Sequence, residues 1–326
     1  MWKLCCEGAK KMMISVLLIT NLLLGRVQAQ PDKMWTGSAA GSSVRVISVD
    51  LKDSRVSVSV AVAKGSPYGV EPFHAFISRT KPTVCINGAY ASKTDFRPVG
   101  DIVIKGKLVY SGLMGTAFCI TKDKQVAVKR VIYGHASDWT PYETVLACGP
   151  ALVLSGKVDV LPEFERFSDP HVMGATKRMG IGVTHDNHLL VVHTLSSVSF
   201  LQFGKIMLSL GCRDAMNLDA GASLGMYYRG NTLLTPSRHI TNVFEVHVGT
   251  PAPDISLLYP QANPTSLPPA SPPDPGNSNA KTAVAVSLCA DSMGKASTYC
   301  PQTVKRRLPA NKIPRPCPFH KRPPGE

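Results

Sequence analysis

The 326-residue sequence lacks most of the motifs that assign a function directly. It has nine cysteines but no CxxC pair and no Cys/His spacing of the zinc-binding kind, so a structural metal site is not predicted. It has neither a Walker phosphate loop nor a GxGxxG fingerprint. It does not predict a Ser-His-Asp hydrolase with a GxSxG elbow. No basic stretch is interleaved with aromatic residues, so nucleic-acid binding is not predicted either.

The charge of the chain is concentrated at its ends. The whole sequence carries a formal net charge of +14, of which residues 1–29 supply +3, residues 30–255 supply +5 and residues 256–326 supply +6. The central part is therefore only mildly basic. Hydrophobic residues make up 44% of the chain, which is enough to bury a sizeable core.

The N-terminus has the pattern of an export signal. Three lysines within the first eleven residues precede the 14-residue apolar run MMISVLLITNLLLG, and the small-x-small tripeptide at 27–29 follows it. We expect cleavage after Ala29 and export to the periplasm or the exterior. The run is shorter than the roughly 20 residues that span a bilayer as a helix. The alternative is an uncleaved signal anchor, in which Cys5 and Cys6 could carry lipid.

The central part predicts many strands and few helices. Hairpins are expected over 42–65 with a turn at 52–54, and over 101–112, 117–128, 178–195 and 227–235. Helices are expected at 71–80 and 199–212, where apolar residues recur at helical spacing. The prediction is an α+β fold with a hairpin-rich mixed or antiparallel sheet, formed by a single domain over residues 30–250.

From about residue 251 the composition changes. Residues 251–326 are rich in proline and basic, with a linker-like stretch of Pro, Ser and Asn at their start. We expect a disordered tail. It could contact an acidic envelope polymer, or it could have no set role.

Residues 215–226, AMNLDAGASLGM, form the most informative segment. An apolar strand leads to Asp219, and the next four residues are all small. Small side chains such as Gly221 let a ligand approach the backbone N–H groups, which can cradle an anion, and Ser223 adds a hydroxyl. The alternative is that Asp219 caps a following helix and the small residues serve packing.

Three further polar loops lie at the ends of predicted strands. They contain Asn87, then His171 and Arg178, and finally Arg238 and Asn242. Arginine can hold a phosphate or carboxylate with two donors, and histidine can transfer protons near neutral pH. Taken singly, the spacing favours a simple Asn-Gly turn for the first loop and a solvated turn for the third. The second loop is equally consistent with a plain surface loop.

Four cysteines fall in the predicted core, namely Cys85, Cys119, Cys148 and Cys212. In an oxidising compartment they could form two disulfides, for which three pairings exist. They could equally be free and act as small buried hydrophobes.

The order of the motifs resembles the phosphodiester glycosidase family. The matching segments are ING at 86–88, DIVIKGK at 101–107, CGPALVLSGK at 148–157, RMGIGVT at 178–184, LGCRDAMNLDAGAS at 210–223 and SRHITN at 237–242. The resemblance covers about residues 40–248. The ordered combination is specific, whereas each motif alone is not.

The resemblance implies hydrolysis of the bond between a sugar anomeric carbon and a phosphodiester. Asp219 matches the aspartate of the family's Leu-Asp-Gly-Gly-Gly-Ser motif and would stabilise an oxocarbenium-like state or activate water. Arg178 and Arg238 would bind the phosphate, and His171 would assist proton transfer. Asn87 would bind sugar hydroxyls or phosphate.

The chain departs from the family motif at Ala220 and Ala222, where glycines are usual. If either position required a positive φ, alanine would strain it; if only close approach mattered, a methyl group would narrow the pocket.

Two other functions remain open at this point. One is a non-catalytic carbohydrate-binding or polysaccharide-assembly module. The other is a glycan hydrolase with paired carboxylates, for which Asp95, Asp101 and Asp169 are the candidate second acids. The sequence identifies no cofactor and no oligomeric state.

Overall fold

A computed structural model describes residues 29–260 of the chain, and these residues contain seventeen strands and four short α-helices. The strands are β1 Asp32–Ala39, β2 Ser42–Asp50, β3 Val56–Val62, β4 Val84–Asn87, β5 Ile102–Ile104, β6 Lys107–Tyr110, β7 Thr116–Thr121, β8 Val126–Arg130, β9 Tyr142–Ala147, β10 Ala151–Leu154, β11 Lys157–Val158, β12 Met179–Thr184, β13 His188–Thr194, β14 Cys212–Asn217, β15 Met226–Tyr228, β16 Asn231–Leu234 and β17 Asn242–Val248. The helices are α1 Phe73–Thr80, α2 Pro170–Met173, α3 Phe200–Ser209 and α4 Ile255–Leu258, and one 3-10 turn covers Gly221–Ser223.

The strands form three sheets. A seven-stranded sheet has the order β1-β2-β13-β12-β14-β10-β11, a five-stranded sheet has the order β16-β15-β4-β17-β3, and a second five-stranded sheet has the order β6-β5-β9-β7-β8. The main core cluster draws residues from all three, for example Val191, Phe244 and Phe118. The predicted α+β class is confirmed, and every strand pair described is antiparallel.

The hairpin predictions are confirmed for β5–β6, β7–β8, β12–β13 and β15–β16. The hairpin predicted over 42–65 is wrong. Both of its strands exist, but β2 pairs with β1 and β13 while β3 pairs with β17 in another sheet. The turn at 52–54 therefore carries the chain from one sheet to the next. Alternation predicts strands well, but it does not say which strands pair.

The seven-stranded sheet is covered on both faces. The central core lies on one side, and α3 packs on the other through Phe203, Ile206 and Met207. Strand β12 packs against this helix and contains two glycines, Gly180 and Gly182, where a larger side chain would clash. A Cβ on Gly180 would lie 2.8 Å from the Phe203 ring, and one on Gly182 would lie 2.6 Å from Cys212 Sγ. The glycines of the RMGIGVT segment thus allow the helix and the neighbouring strand to approach closely.

The four cysteines of the described region, Cys85, Cys119, Cys148 and Cys212, are all buried and free. Of the two alternatives left open by the sequence, the structure has the one in which they act as small buried side chains. Residues 1–28, with most of the predicted signal peptide, and residues 261–326 lie outside the described residues. Between residues 29 and 260 we find no helix with the length and apolar character needed to cross a membrane.

His193 on β13 is a buried histidine whose two ring nitrogens have no hydrogen-bond partner. Burial, together with the positive charges of Arg45 and Lys177, lowers its pKa from 6.5 to about 4. The folded state therefore favours the neutral ring. The neutral ring of His193 therefore contributes to the free energy of unfolding. This contribution is complete above the unfolded-state pKa of 6.5 and is lost as the pH falls toward the folded-state pKa of about 4.

We expect acidification from about pH 7 to about pH 4.5 to lower the free energy of unfolding, with His193 contributing up to about 3 kcal/mol of the loss. Urea unfolding of the wild type and of His193→Gln at both pH values measures this contribution, because carboxylates titrate equally in both proteins. An identical pH dependence in the two proteins would contradict the assignment.

Candidate functional site

Three strand ends converge on one point of the surface. Asp219 lies just beyond β14, and Gly88 lies just beyond β4. The Asp219 amide donates a hydrogen bond to the carbonyl of Gly88 at 3.1 Å. The Gly88 amide donates to the carbonyl of Asn242 at 3.1 Å, at the start of β17. Since β14 belongs to the seven-stranded sheet and β4 and β17 to a five-stranded sheet, the site lies where two sheets meet.

Asp219 is the central group of this junction. Its residue is only 7% exposed. One carboxylate oxygen accepts from the Ala220 amide at 2.7 Å, and the other accepts from Arg238 Nη2 at 2.8 Å. Arg238 Nε also donates to Ser223 Oγ at 2.7 Å, so the guanidinium links the carboxylate to the hydroxyl.

Burial raises the pKa of Asp219 above its ordinary value of 3.8. The contact with Ser223, the charge of Arg238 and the Ala220 amide act in the opposite direction, but desolvation is the larger effect. A salt bridge would normally lower a carboxyl pKa. Here the pKa is raised instead, because the desolvation of the buried carboxylate outweighs the favourable charge of Arg238.

The small residues after Asp219 form a tight turn without strain. Gly221 has a φ of 61°, in the left-handed region that glycine adopts readily, whereas Ala220 has a φ of −137°. Ala222 is also outside the positive-φ region. The residue that needs a glycine therefore has one, and the two alanine departures strain nothing.

Residues 221–225, GASLG, do have GxSxG spacing. Among residues 29–260 the Ser223 side chain contacts Arg238 and Asp219, and its described contacts include no histidine. This arrangement does not correspond to an activated serine nucleophile.

Asn87 and Asn242 hold the backbone of the site. Asn87 Nδ2 donates to the carbonyl of Asp219 at 2.7 Å, and its Oδ1 accepts from the Gly225 amide at 3.1 Å. Asn242 Oδ1 accepts from the Ala89 amide at 2.8 Å. Both asparagines are 1% exposed, although both lie in a pocket wall. The structure therefore places the predicted binding residue Asn87 in a positioning arrangement.

Two pockets meet at Asp219 and Arg238. The smaller has a volume of about 140 Å³, and the larger has a volume of about 430 Å³. Polar residues of the smaller pocket include Asn87, Ser223, His239, Thr241 and Asn242. The larger pocket is lined, among others, by Tyr90, Phe167, His171, Arg178, Ala220 and Ala222. Asp219 and Arg238 thus lie at the boundary between two pockets that have different lining residues.

Arg178 is fully buried in the wall of the larger pocket. Its Nε donates to the carbonyl of Val198, its Nη2 donates to the carbonyl of Gly174, and its Cζ lies 3.6 Å from the centroid of the Phe200 ring. Nη1 has no partner, and no carboxylate of the described region pairs with this guanidinium. Desolvation lowers its pKa, as expected for a buried cation without a counter-ion.

His171 is exposed on the short helix α2 and lies in the wall of the larger pocket. Of the three candidate second acids, only Asp169 lines a pocket with Asp219, and it pairs with Lys93 and caps α2. Asp95 pairs with Arg97. Asp101 accepts from Trp139 Nε1 and from backbone amides away from the pockets.

All eight residues predicted from the sequence line one pocket or the other. Sequence reasoning missed Tyr90, Lys93 and Phe167. Tyr90 follows the segment ING at 86–88 by two residues, but nothing in the local sequence shows that its hydroxyl contacts Asn217 on β14. Across residues 29–260 the structure contains no group of three or more His, Cys, Asp or Glu side chains placed to hold a metal ion.

Comparison with known proteins agrees with the motif order. A model of the phosphodiester glycosidase family matches residues 80–247, just over half of the chain. A comparison with curated proteins finds no match.

Solved structures share the fold at low sequence identity. The zebrafish N-acetylglucosamine-1-phosphodiester alpha-N-acetylglucosaminidase catalytic domain, auto-inhibited by its pro-peptide, matches with a TM-score of 0.55 and 19% identity over 68% of this chain and 85% of that one. A hypothetical protein from Synechocystis matches with a TM-score of 0.54 and 14% identity over 68% of this chain. The chain spans 65% of the length of that Synechocystis protein.

The raised pKa of Asp219 predicts that its charge opposes folding. We expect Asp219→Asn to be at least as stable as the wild type at about pH 7. The difference should close as the pH falls from the raised pKa of Asp219 toward 3.8, because the folded wild-type carboxyl becomes neutral over that range. The matched control is Asp101→Asn, which changes an equally buried carboxylate with a full set of donors and should lose about 2 kcal/mol or more. Urea unfolding decides, and a clear loss of stability in Asp219→Asn would contradict the assignment.

Proposed function

This chain belongs to the phosphodiester glycosidase family, and from that premise we propose that it hydrolyses the bond between a sugar anomeric carbon and a phosphodiester. The observation that carries the proposal is the position of the Asp219–Arg238 pair between two pockets, one of which holds the buried and unpaired charge of Arg178. A buried cation without a counter-ion favours an anionic ligand in the adjoining space. The larger pocket is therefore the proposed place of the phosphate and its substituent.

The smaller pocket would then hold the sugar, with its anomeric carbon next to Asp219. Hydroxyl and imidazole groups line this pocket, and such groups recognise sugar hydroxyls. Arg238 spans the two sides, since it contacts Asp219 and lies in both pocket walls.

In this arrangement Asp219 acts as an ionised carboxylate. It either stabilises positive charge that develops at the anomeric carbon or takes a proton from the attacking water. As the carbon–oxygen bond breaks, the charge on the phosphate rises from one negative charge to two. Arg178 and Arg238 favour that change electrostatically. His171, exposed in the same pocket, is the residue proposed to assist proton transfer.

The proposed setting is outside the cytoplasm. The pattern of residues 1–29 and the basic tail at 251–326 support an exported protein that acts on an envelope glycan or an exopolysaccharide. The zebrafish protein is named for an N-acetylglucosamine-1-phosphodiester substrate, which supports the same bond type but not the same sugar.

Two observations favour other functions. The hydroxyl and imidazole groups of the smaller pocket are also suited to a carbohydrate-binding or polysaccharide-assembly module without catalysis. Asp169 shares the larger pocket with Asp219, which keeps a hydrolase with two carboxylates as a second candidate. Asp169 is ion-paired with Lys93, and that contact, followed by the His171 amide, lowers its pKa, which suits an N-cap better than a general acid.

The decisive experiment is a hydrolysis panel of sugar phosphodiesters and nucleotide sugars with wild type, Asp219→Asn and Asp169→Asn. We expect the wild type to release free sugar, Asp219→Asn to lose at least about 1000-fold in kcat, and Asp169→Asn to stay within about tenfold. Comparable losses in both variants would support the two-carboxylate hydrolase. Glycan binding without sugar release from any compound would support the binding module.

The pH dependence of kcat/KM tests the state of Asp219. Activity should rise with pH as this carboxyl ionises, with a midpoint above the ordinary value of 3.8. Arg238→Gln removes a charge that lowers the pKa, so the midpoint should move to higher pH. Arg55→Gln, which breaks a partly buried ion pair with Asp53 outside both pocket walls, is the matched control and should leave the midpoint unchanged. A midpoint that stays in place in Arg238→Gln would show that another group controls the acid limb.

A further inference from the structure

Tyr90 is a buried tyrosine in the wall of the larger pocket. Its hydroxyl has no role in the mechanism described above. It follows β4 by three residues and is 8% exposed. Its ring packs against Phe167, with the two ring centroids 5.7 Å apart. The ring is thus fixed by its packing against Phe167 at the pocket wall.

The hydroxyl is oriented from behind by a buried amide. Asn217 Nδ2, at the end of β14, donates to Tyr90 Oη at 2.8 Å. Asn217 itself is fully buried, and its Nδ2 also contacts the carbonyl of Leu218. The oxygen of Tyr90 therefore accepts a bond from the protein, while its proton has no acceptor among residues 29–260. A tyrosine held in this way offers a donor to whatever occupies the pocket.

The electrostatic surroundings keep that donor protonated. Burial, followed by the negative charges of Cys148 and Asp219 in their ionised forms, raises the pKa of Tyr90 well above 10. Arg178 is the positive group that interacts with it. Tyr90 is thus a neutral donor that lies within electrostatic reach of both the carboxylate and the unpaired guanidinium.

We propose that the Tyr90 hydroxyl donates a hydrogen bond to the phosphate oxygen that leaves the sugar, with Asn217 as the residue that positions it. The inference rests on the proposed function. The anomeric carbon–oxygen bond breaks and its electron pair stays on the phosphate oxygen, which gains one negative charge. Water forms the new bond to the carbon and gives its proton to Asp219 and then to solvent. Tyr90 keeps its proton throughout and stabilises the oxygen on which charge develops.

The test is calorimetric titration of inorganic phosphate and of a free monosaccharide into wild type and Tyr90→Phe. The substitution keeps the ring and its packing, and a melting curve checks that the variant is folded. We expect the Kd for phosphate to rise roughly tenfold and the Kd for the sugar to stay unchanged. Tyr259→Phe is the matched control, since Tyr259 is similarly buried and lies in neither pocket wall, and it should leave both Kd values unchanged.

Asn217→Ala tests the positioning role through a double-mutant cycle. This variant should weaken phosphate binding when Tyr90 is present, but should add nothing in the Tyr90→Phe background. Equal losses in both backgrounds would contradict a role that acts through the tyrosine.

The outcomes separate the two proposals. An unchanged phosphate Kd in Tyr90→Phe, or a wild type that binds no phosphate, overturns the role of Tyr90. Hydrolysis by Tyr90→Phe with unchanged kcat/KM overturns it too, while the proposed function stands. A tenfold weaker phosphate Kd with no hydrolysis of any panel compound by the wild type supports the Tyr90 contact and overturns the proposed function.

Discussion

The buried amide of Asn87 is the interaction on which the site depends. Its two polar atoms bond to the backbone at both ends of the 219–225 turn, so a single side chain from β4 closes that turn against the neighbouring sheet. Both backbone groups would otherwise be buried without partners, at a cost of about 1 to 3 kcal/mol each. The adjacent Gly88 completes the junction, because a Cβ there would lie 1.9 Å from Asn242 Oδ1. The position of Asp219 thus follows from packing and backbone satisfaction around it.

The same junction creates an electrostatic asymmetry. Asp219 is buried with a raised pKa despite its arginine, and Arg178 is buried with a lowered pKa and no carboxylate. Each charge is held in an environment that penalises it, and the two face one pocket. Perturbed groups of opposite sign in one cavity are typical of functional sites. Asp101 shows the contrast with Asp219. Its buried carboxylate accepts hydrogen bonds from several donors and has a structural role.

The sequence predicts the elements of this fold better than their pairing. Period-two alternation and turn residues identify β12–β13 and β7–β8 because those strands are joined locally. They fail for β2 and β3, since the contacts that separate these strands are with β13 and β17, far along the chain. In the site, Asp219 and Arg238 carry chemical signals that can be recognised in the sequence. Tyr90 carries none, because its importance comes from Asn217, 127 residues away.

Ala220 and Ala222, where the family motif usually has glycines, affect the larger pocket and not the backbone of the turn. They do not disturb the turn, since the positive φ falls on Gly221 between them. Both line the larger pocket and neither lines the smaller one. With the sugar in the smaller pocket, as proposed, their methyl groups act on the phosphate and its substituent rather than on the sugar. The departure from the family motif is then a matter of which leaving group fits beside Asp219, and the carboxylate, its arginine and the turn that holds them are unaffected.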